Sequence, residues 1–146
     1  MVLAASPASA QSWQTATFDG GISAWSQNNE FADFQLACSD DQHPTVTIGL
    51  PMADIPEDIA DRLILAVDGE HLEASWGFER TPTGTGVRMH GDSNAHWHTV
   101  RALSEKIAHG QRLTVMVSSL GFATNFDLQG ARDAMAPVME KCGLNR

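Results

Sequence analysis

The chain has 146 residues, 42% hydrophobic and 7% aromatic, and its 18 acids against 9 bases give a formal net charge of −9. That length fits one domain with one core, and the composition excludes a globally disordered chain. The acidic balance, with no basic run, argues against nucleic acid or an anionic membrane surface as partner, and no apolar run approaches the roughly 20 residues of a membrane helix.

The first residues, MVLAASPASAQSW, are small and apolar. Ala8-Ser9-Ala10 before Gln11 has the A-x-A form of a signal-peptidase site. No Lys or Arg stands near Met1, and Pro7 breaks the short apolar run. Residues 1–10 therefore read as the remnant of a signal peptide or as an Ala/Ser arm. Residues 11–146 read as a single β-rich domain of an exported protein.

From Ser12 onward most segments alternate at period 2, the pattern of half-buried strands. SWQTATF places Trp13, Thr15 and Thr17 on one face, and ISAWSQ comes next across the Asp19-Gly20-Gly21 turn. FADFQLAC carries Phe34, Leu36 and Cys38 together, and TVTIGL carries Val46, Ile48 and Leu50. PMADIPEDIADR is a loop with one helical turn predicted at Pro56 to Asp61, where Pro at a first helical position with acids after it is favourable. LILAVDGE runs into an Asp68-Gly69 turn, the strongest hairpin signal in the chain. HLEASWGFE leaves that turn with Leu72, Ala74, Trp76 and Phe78 on one face.

RTPTGTG is a connection, and VRMHG is a short strand with Val87 and Met89 inward. A helix is predicted over about 97–109, capped by Ser93 or Asn94 and stopped at His109-Gly110. Its stripe is Trp97, Val100, Leu103, Ser104 and Ile107. RLTVMVSSL and TNFDL are the last strands. Met135, Val138, Met139 and Cys142 then recur at i, i+3, i+4 and i+7, with Gly143 placed to end a C-terminal helix. Pro137 predicts a kink, or a regular helix that begins close to it. The fold class is α+β, mainly β: an antiparallel sheet or sandwich with one short helix and a terminal helix. Trp13, Trp25 and Trp76 read as core residues rather than ligand platforms.

Cys38 and Cys142 are an even pair outside any C-x-x-C. In an exported protein they form one disulfide, and in a reducing compartment they are two buried thiols.

The ending NFDLQGARDAMAPVMEKC resembles the C-terminus of small proteobacterial periplasmic proteins, best known from the invasion-associated locus B family. The likeness is carried by Phe126, Leu128, Gly130, Ala131, Ala134, Val138 and Cys142. LSEKIAHGQRLTVMV, Trp13 near the mature start and Cys38 after a strand fit the same pattern. It spans about half of the mature chain and includes no catalytic motif. The resemblance implies an exported, mostly β domain with a disulfide, periplasmic or secreted in a Gram-negative bacterium, with no known enzymatic activity and a tie to the envelope or to host interaction.

The sharpest chemical candidate is MHGDSNAHWHTV. His90, His96 and His98 suit zinc or copper, with Asp92 as an oxygen ligand or as a partner that orients a histidine. On a strand His96 and His98 share a face; in a helix they lie about 200° apart. A Ser/His/Asp hydrolase is weaker, because SSLG at Ser118–Gly121 lacks the first glycine of a nucleophile elbow. Asp40, Asp41 and His43 lack calcium-loop spacing and read as a turn, and TPTGTG has no lysine for a phosphate. The reading is thus a non-enzymatic domain that binds a protein or an envelope component and carries no cofactor. The alternatives are a zinc- or copper-binding periplasmic protein and a hydrolase of unrecognised type.

Overall fold

The computed structural model describes residues 12–72 and 78–145. The Ala8-Ser9-Ala10 cleavage pattern, Ala74 and Trp76 lie outside them. Ten strands and two helices are described. The strands are β1 (Gln14–Phe18), β2 (Gly21–Gln27), β3 (Asp33–Ser39), β4 (Pro44–Gly49), β5 (Leu63–Val67), β6 (Glu70–His71), β7 (Glu79–Arg80), β8 (Gly86–His90), β9 (Arg112–Val117) and β10 (Phe122–Asp127). The helices are α1 (Asn94–His109) and α2 (Ala131–Cys142).

The strands form two antiparallel sheets, β1-β2-β3-β4-β8-β7 and β10-β9-β5-β6. The period-2 pattern sets which side faces inward. Phe34, Leu36 and Cys38 on β3 pair with Ile48, Val46 and Pro44 on β4, and β4 continues the inner face onto Val87 and Met89 of β8. On the smaller sheet Leu65, Val115 and Thr124 share a row, flanked by Val67, Leu113 and Phe126. One apolar cluster draws on both sheets and both helices. Phe34 meets Phe126 edge-on at 6.5 Å, so the two inner faces touch directly.

Helix α1 begins three residues before the predicted start. The Ser93 side chain accepts a hydrogen bond from the His96 amide, which satisfies one of the unpaired donors of the first turn. Val100, Leu103, Ser104 and Ile107 are buried, as the stripe requires. The helix ends at His109, but Gly110 is extended (φ −93°) rather than left-handed. Its lack of a side chain serves close approach instead: a Cβ there would stand 2.4 Å from Val67 Cγ1.

Helix α2 runs unbroken through Pro137, which removes the second alternative, a regular helix that begins close to the proline. Pro137 sits on the exposed face, where the lost amide donor and the ring meet solvent rather than core. Gly130 (φ +88°) opens the helix and Gly143 (φ +69°) closes it. At that end the Gly143 amide bonds the Glu140 carbonyl at 3.2 Å, and the Leu144 amide bonds the Met139 carbonyl at 2.8 Å. This is the paired closure that a left-handed glycine permits, with Leu144 and Met139 both buried beneath it.

The Cys38–Cys142 disulfide ties the end of α2 to β3, with Cα atoms 5.8 Å apart. An ion pair between Lys141 and Asp40 (2.7 Å) lies beside it on the surface.

The Asp68-Gly69 turn has φ of +53° and +83°, the two left-handed residues of a type I′ hairpin. Three local readings are corrected. The helical turn falls at Ile59–Arg62 rather than Pro56 to Asp61, with the Pro56 carbonyl accepting from the Ile59 amide before it. The strand read from RLTVMVSSL ends at Val117, and Ser118–Leu120 form a short 3-10 turn that leads into β10. Trp25 is not in the core: it pairs with Gln14 and Gln35 on the outer face of the larger sheet, opposite in phase to Ala24 and Leu36.

Candidate functional site

The histidine segment divides between two elements. His90 closes β8, and its Nε2 lies 3.3 Å from Glu79 Oε1, an oxygen that Arg88 also approaches at 3.4 Å. Asp92 is exposed in the connection. His96 and His98 are the third and fifth residues of α1, about 200° apart around its axis, so they point to different sides. The His98 ring stands edge-on to Trp97 at 5.2 Å. Among the described residues, no group of three or more His, Cys, Asp or Glu side chains is placed to hold a metal ion. Asp40 to His43 form the β3–β4 turn, in which the Ser39 hydroxyl accepts from the His43 amide.

A second region is more built. It centres on the β2–β3 turn, residues 28–32. Asn28 is buried, with 3% of its surface exposed. Its amide nitrogen donates to Thr124 Oγ1 (2.7 Å) and to the Asn125 carbonyl (2.9 Å) on β10. Its carbonyl oxygen accepts from the amides of Glu30 and Ala32, both at 3.0 Å. One side chain thus closes the turn and fastens it to the other sheet. Thr124, itself buried, donates its hydroxyl proton to Glu30 Oε1 at 2.7 Å. A buried polar network of this kind is stable only when its members are satisfied, and here each polar group of the Asn28 side chain has a partner.

The clamp holds Phe31 in an unusual state. Phe31 has φ +66°, a left-handed conformation costly for a bulky residue, and it is 74% exposed. The sequence pattern reads Phe31 as the first residue of a strand; it stands instead at the tip of the turn. Its odd number was the available signal. Phe34, Leu36 and Cys38 face the core at even positions, so Phe31 falls out of phase with them.

Beside this turn lies an open polar groove of about 920 Å³. Its lining includes Asn29, Glu30, Asp68, Arg112, Asn125 and Asp127. The groove is also preorganised. The Asp68 carboxylate accepts from the backbone amides of Gln111 (3.1 Å) and Arg112 (3.0 Å), which locks the β5–β6 hairpin to the start of β9. Thr114 Oγ1 donates to Asn125 Oδ1 at 2.6 Å, and Asp127 Oδ1 accepts from the Gln129 amide at 2.9 Å. Trp13 packs edge-on against Phe34 at 5.9 Å and donates its indole proton to the Asp127 carbonyl at 2.8 Å. Three carboxylates and one guanidinium at fixed positions, with an exposed aromatic next to them, can receive a chain segment that offers amides, a cation and an apolar side chain.

On the far side of the larger sheet, burial raises the pKa of Asp33, and a hydrogen bond from the Gly49 backbone partly opposes the shift. The carboxylate lies directly over Gly49, where a Cβ would come within 2.4 Å of it. No described helix is long and apolar enough to cross a membrane.

Comparisons with models of protein families, with characterised proteins and with solved structures find no match.

Proposed function

We propose that this protein is an exported, non-catalytic binding domain, and that the turn at residues 28–32 with the groove beside it is its contact surface. The carrying observation is Phe31, held exposed at φ +66° by a turn that the buried Asn28 fixes in place. Strain of this sort costs about 1–3 kcal/mol and persists where the surroundings over-determine it, most often at ligand-contact sites. An exposed aromatic on a rigid turn loses little conformational freedom on binding, which is the character of an interface hot spot. The partner is a protein or envelope component that places an apolar side chain on Phe31 and a basic side chain near Glu30, Asp68 and Asp127.

Export is supported by the Cys38–Cys142 disulfide, since such bonds persist in oxidising compartments. The Ala8-Ser9-Ala10 pattern and the resemblance to the invasion-associated locus B family point the same way, to the periplasm or beyond it.

The test is capture from an envelope extract with the wild-type chain and with Phe31→Ala as bait. The proposal expects a partner that the wild type retains and Phe31→Ala loses by ten-fold or more. Equal capture by the two baits removes the contact surface. Turnover of ester, peptide or glycan substrates by the purified protein removes the non-catalytic reading.

A further inference from the structure

We infer that β1 is a self-pairing edge, through which two copies of this chain join their larger sheets antiparallel about a two-fold axis. The inference rests on how the sheet edges are finished. An exposed strand edge templates further pairing unless charge, proline, a bulge or a cover blunts it. The edge strand β7 is two residues long and carries Glu79 and Arg80; β6 is as short and carries Glu70 and His71. The outward carbonyls of Asn125 and Asp127 on β10 are capped by the side chains of Asn28 and Trp13. Strand β1 has no charge, proline or bulge, and helix α2 meets it at the side chain of Thr15, whose hydroxyl donates to the Ala134 carbonyl at 2.6 Å. Gln14-Thr15-Ala16-Thr17-Phe18 is uncharged and proline-free, and all five residues are exposed.

The register shows which groups stand free. The Asp40 amide donates to the Gly20 carbonyl, and the Asn28 amide to the Ala32 carbonyl, at the two ends of the β2–β3 ladder. Even-numbered residues of β2 therefore direct their backbone groups at β3, and odd-numbered ones direct theirs at β1. Gly21, Ser23 and Trp25 face Phe18, Ala16 and Gln14. Thr15 and Thr17 alternate with those, so their N–H and C=O groups point away from the sheet. Among the described residues neither backbone has a hydrogen-bond partner beyond the sheet.

This edge is complementary to itself. Pairing about Ala16 sets Thr15 opposite the second copy's Thr17, and Thr17 opposite its Thr15. All four outward N–H groups then meet outward carbonyls across the two-fold axis. Ala16 meets Ala16 at a close, non-hydrogen-bonded position, where small side chains fit. Phe18, 47% exposed with its ring over Gly21, stands opposite the second copy's Gln14. A copy with net charge −9 repels its twin over most of its surface, and a neutral strand is where that repulsion is least. The isologous geometry is that of the commonest oligomer, the two-fold dimer.

The test is sedimentation of the full chain from micromolar to millimolar concentration, with Thr17→Pro as the variant. Proline at residue 17 removes an outward amide and leaves the β1–β2 ladder intact. The wild type should approach twice the 15.8 kDa monomer mass, and Thr17→Pro should stay at 15.8 kDa. Hydrogen exchange supplies a readout independent of the variant's folding. The Thr15 and Thr17 amides should become protected as concentration rises, whereas the Ala16 amide, already paired with Ser23, should not change. A wild type that is monomeric throughout overturns the inference, as does a dimer in which the Thr15 and Thr17 amides exchange freely. Dimerisation only after removal of residues 1–11 also overturns it, because that segment would then occupy the edge.

Discussion

Replacing Asn28 with alanine removes four hydrogen bonds at once. The lost contacts are those to Thr124 Oγ1, the Asn125 carbonyl, and the amides of Glu30 and Ala32. Each such bond contributes about 1 kcal/mol net, with a larger penalty where the abandoned partner stays buried. Ala32 is fully buried, so its amide finds no water without movement of the turn. Thr124 keeps Glu30 as a partner, which limits the loss there. The expected destabilisation is therefore about 3–4 kcal/mol, a large fraction of a typical domain's 5–15 kcal/mol. Urea unfolding followed by far-ultraviolet circular dichroism measures it as a lower midpoint at unchanged slope. Because the same bonds hold Phe31 in place, binding should weaken in the folded variant as well. A loss below about 1 kcal/mol would show that the turn, and Phe31 at its tip, is held by something other than Asn28.

Phe31→Gly should be more stable than Phe31→Ala by about 1 kcal/mol, since glycine adopts φ +66° without steric cost; equal unfolding midpoints would deny the strain. The Cys38→Ala/Cys142→Ala pair should lose up to about 4.7 kcal/mol, the chain-entropy value for a loop of about 100 residues, by the same urea assay. Asp33→Asn should stabilise the protein at neutral pH. The folded carboxyl has a raised pKa, so its favourable contribution is complete below the unfolded value of about 3.9 and is lost as pH rises through the folded value. The advantage of asparagine should therefore shrink on acidification and vanish once Asp33 is protonated; a difference independent of pH would assign the effect to packing.

The strands were legible where one face is buried, because period 2 is then imposed by the core. Phe34, Leu36 and Cys38, or Val46 and Ile48, show it directly. The disulfide was legible as an even pair of cysteines outside any C-x-x-C, given an oxidising compartment; the helical stripe placed Cys142 only on the buried face of its helix. The partition into two sheets was not. Strand β4 pairs with β8 and β5 with β9, and local alternation carries no information about a partner so far along the chain. The histidine segment resolved through its cap: Ser93 starts the helix early enough to include His96 and His98, which turns them to different sides. The turn at 28–32 was hidden for a different reason. Its order comes from Asn28 reaching β10, a contact between residues 28 and 124 that no local pattern encodes.

The contact surface is tested most directly by a photo-activatable residue placed at position 31 of the exported protein and irradiated in intact cells. Position 120 serves as control, since Leu120 is also exposed, at 44%, but lies beyond the other end of β10. A discrete adduct from position 31 that is absent from position 120 is the predicted result. No adduct from position 31, or the same adduct from both positions, would contradict the proposal that this turn meets the partner.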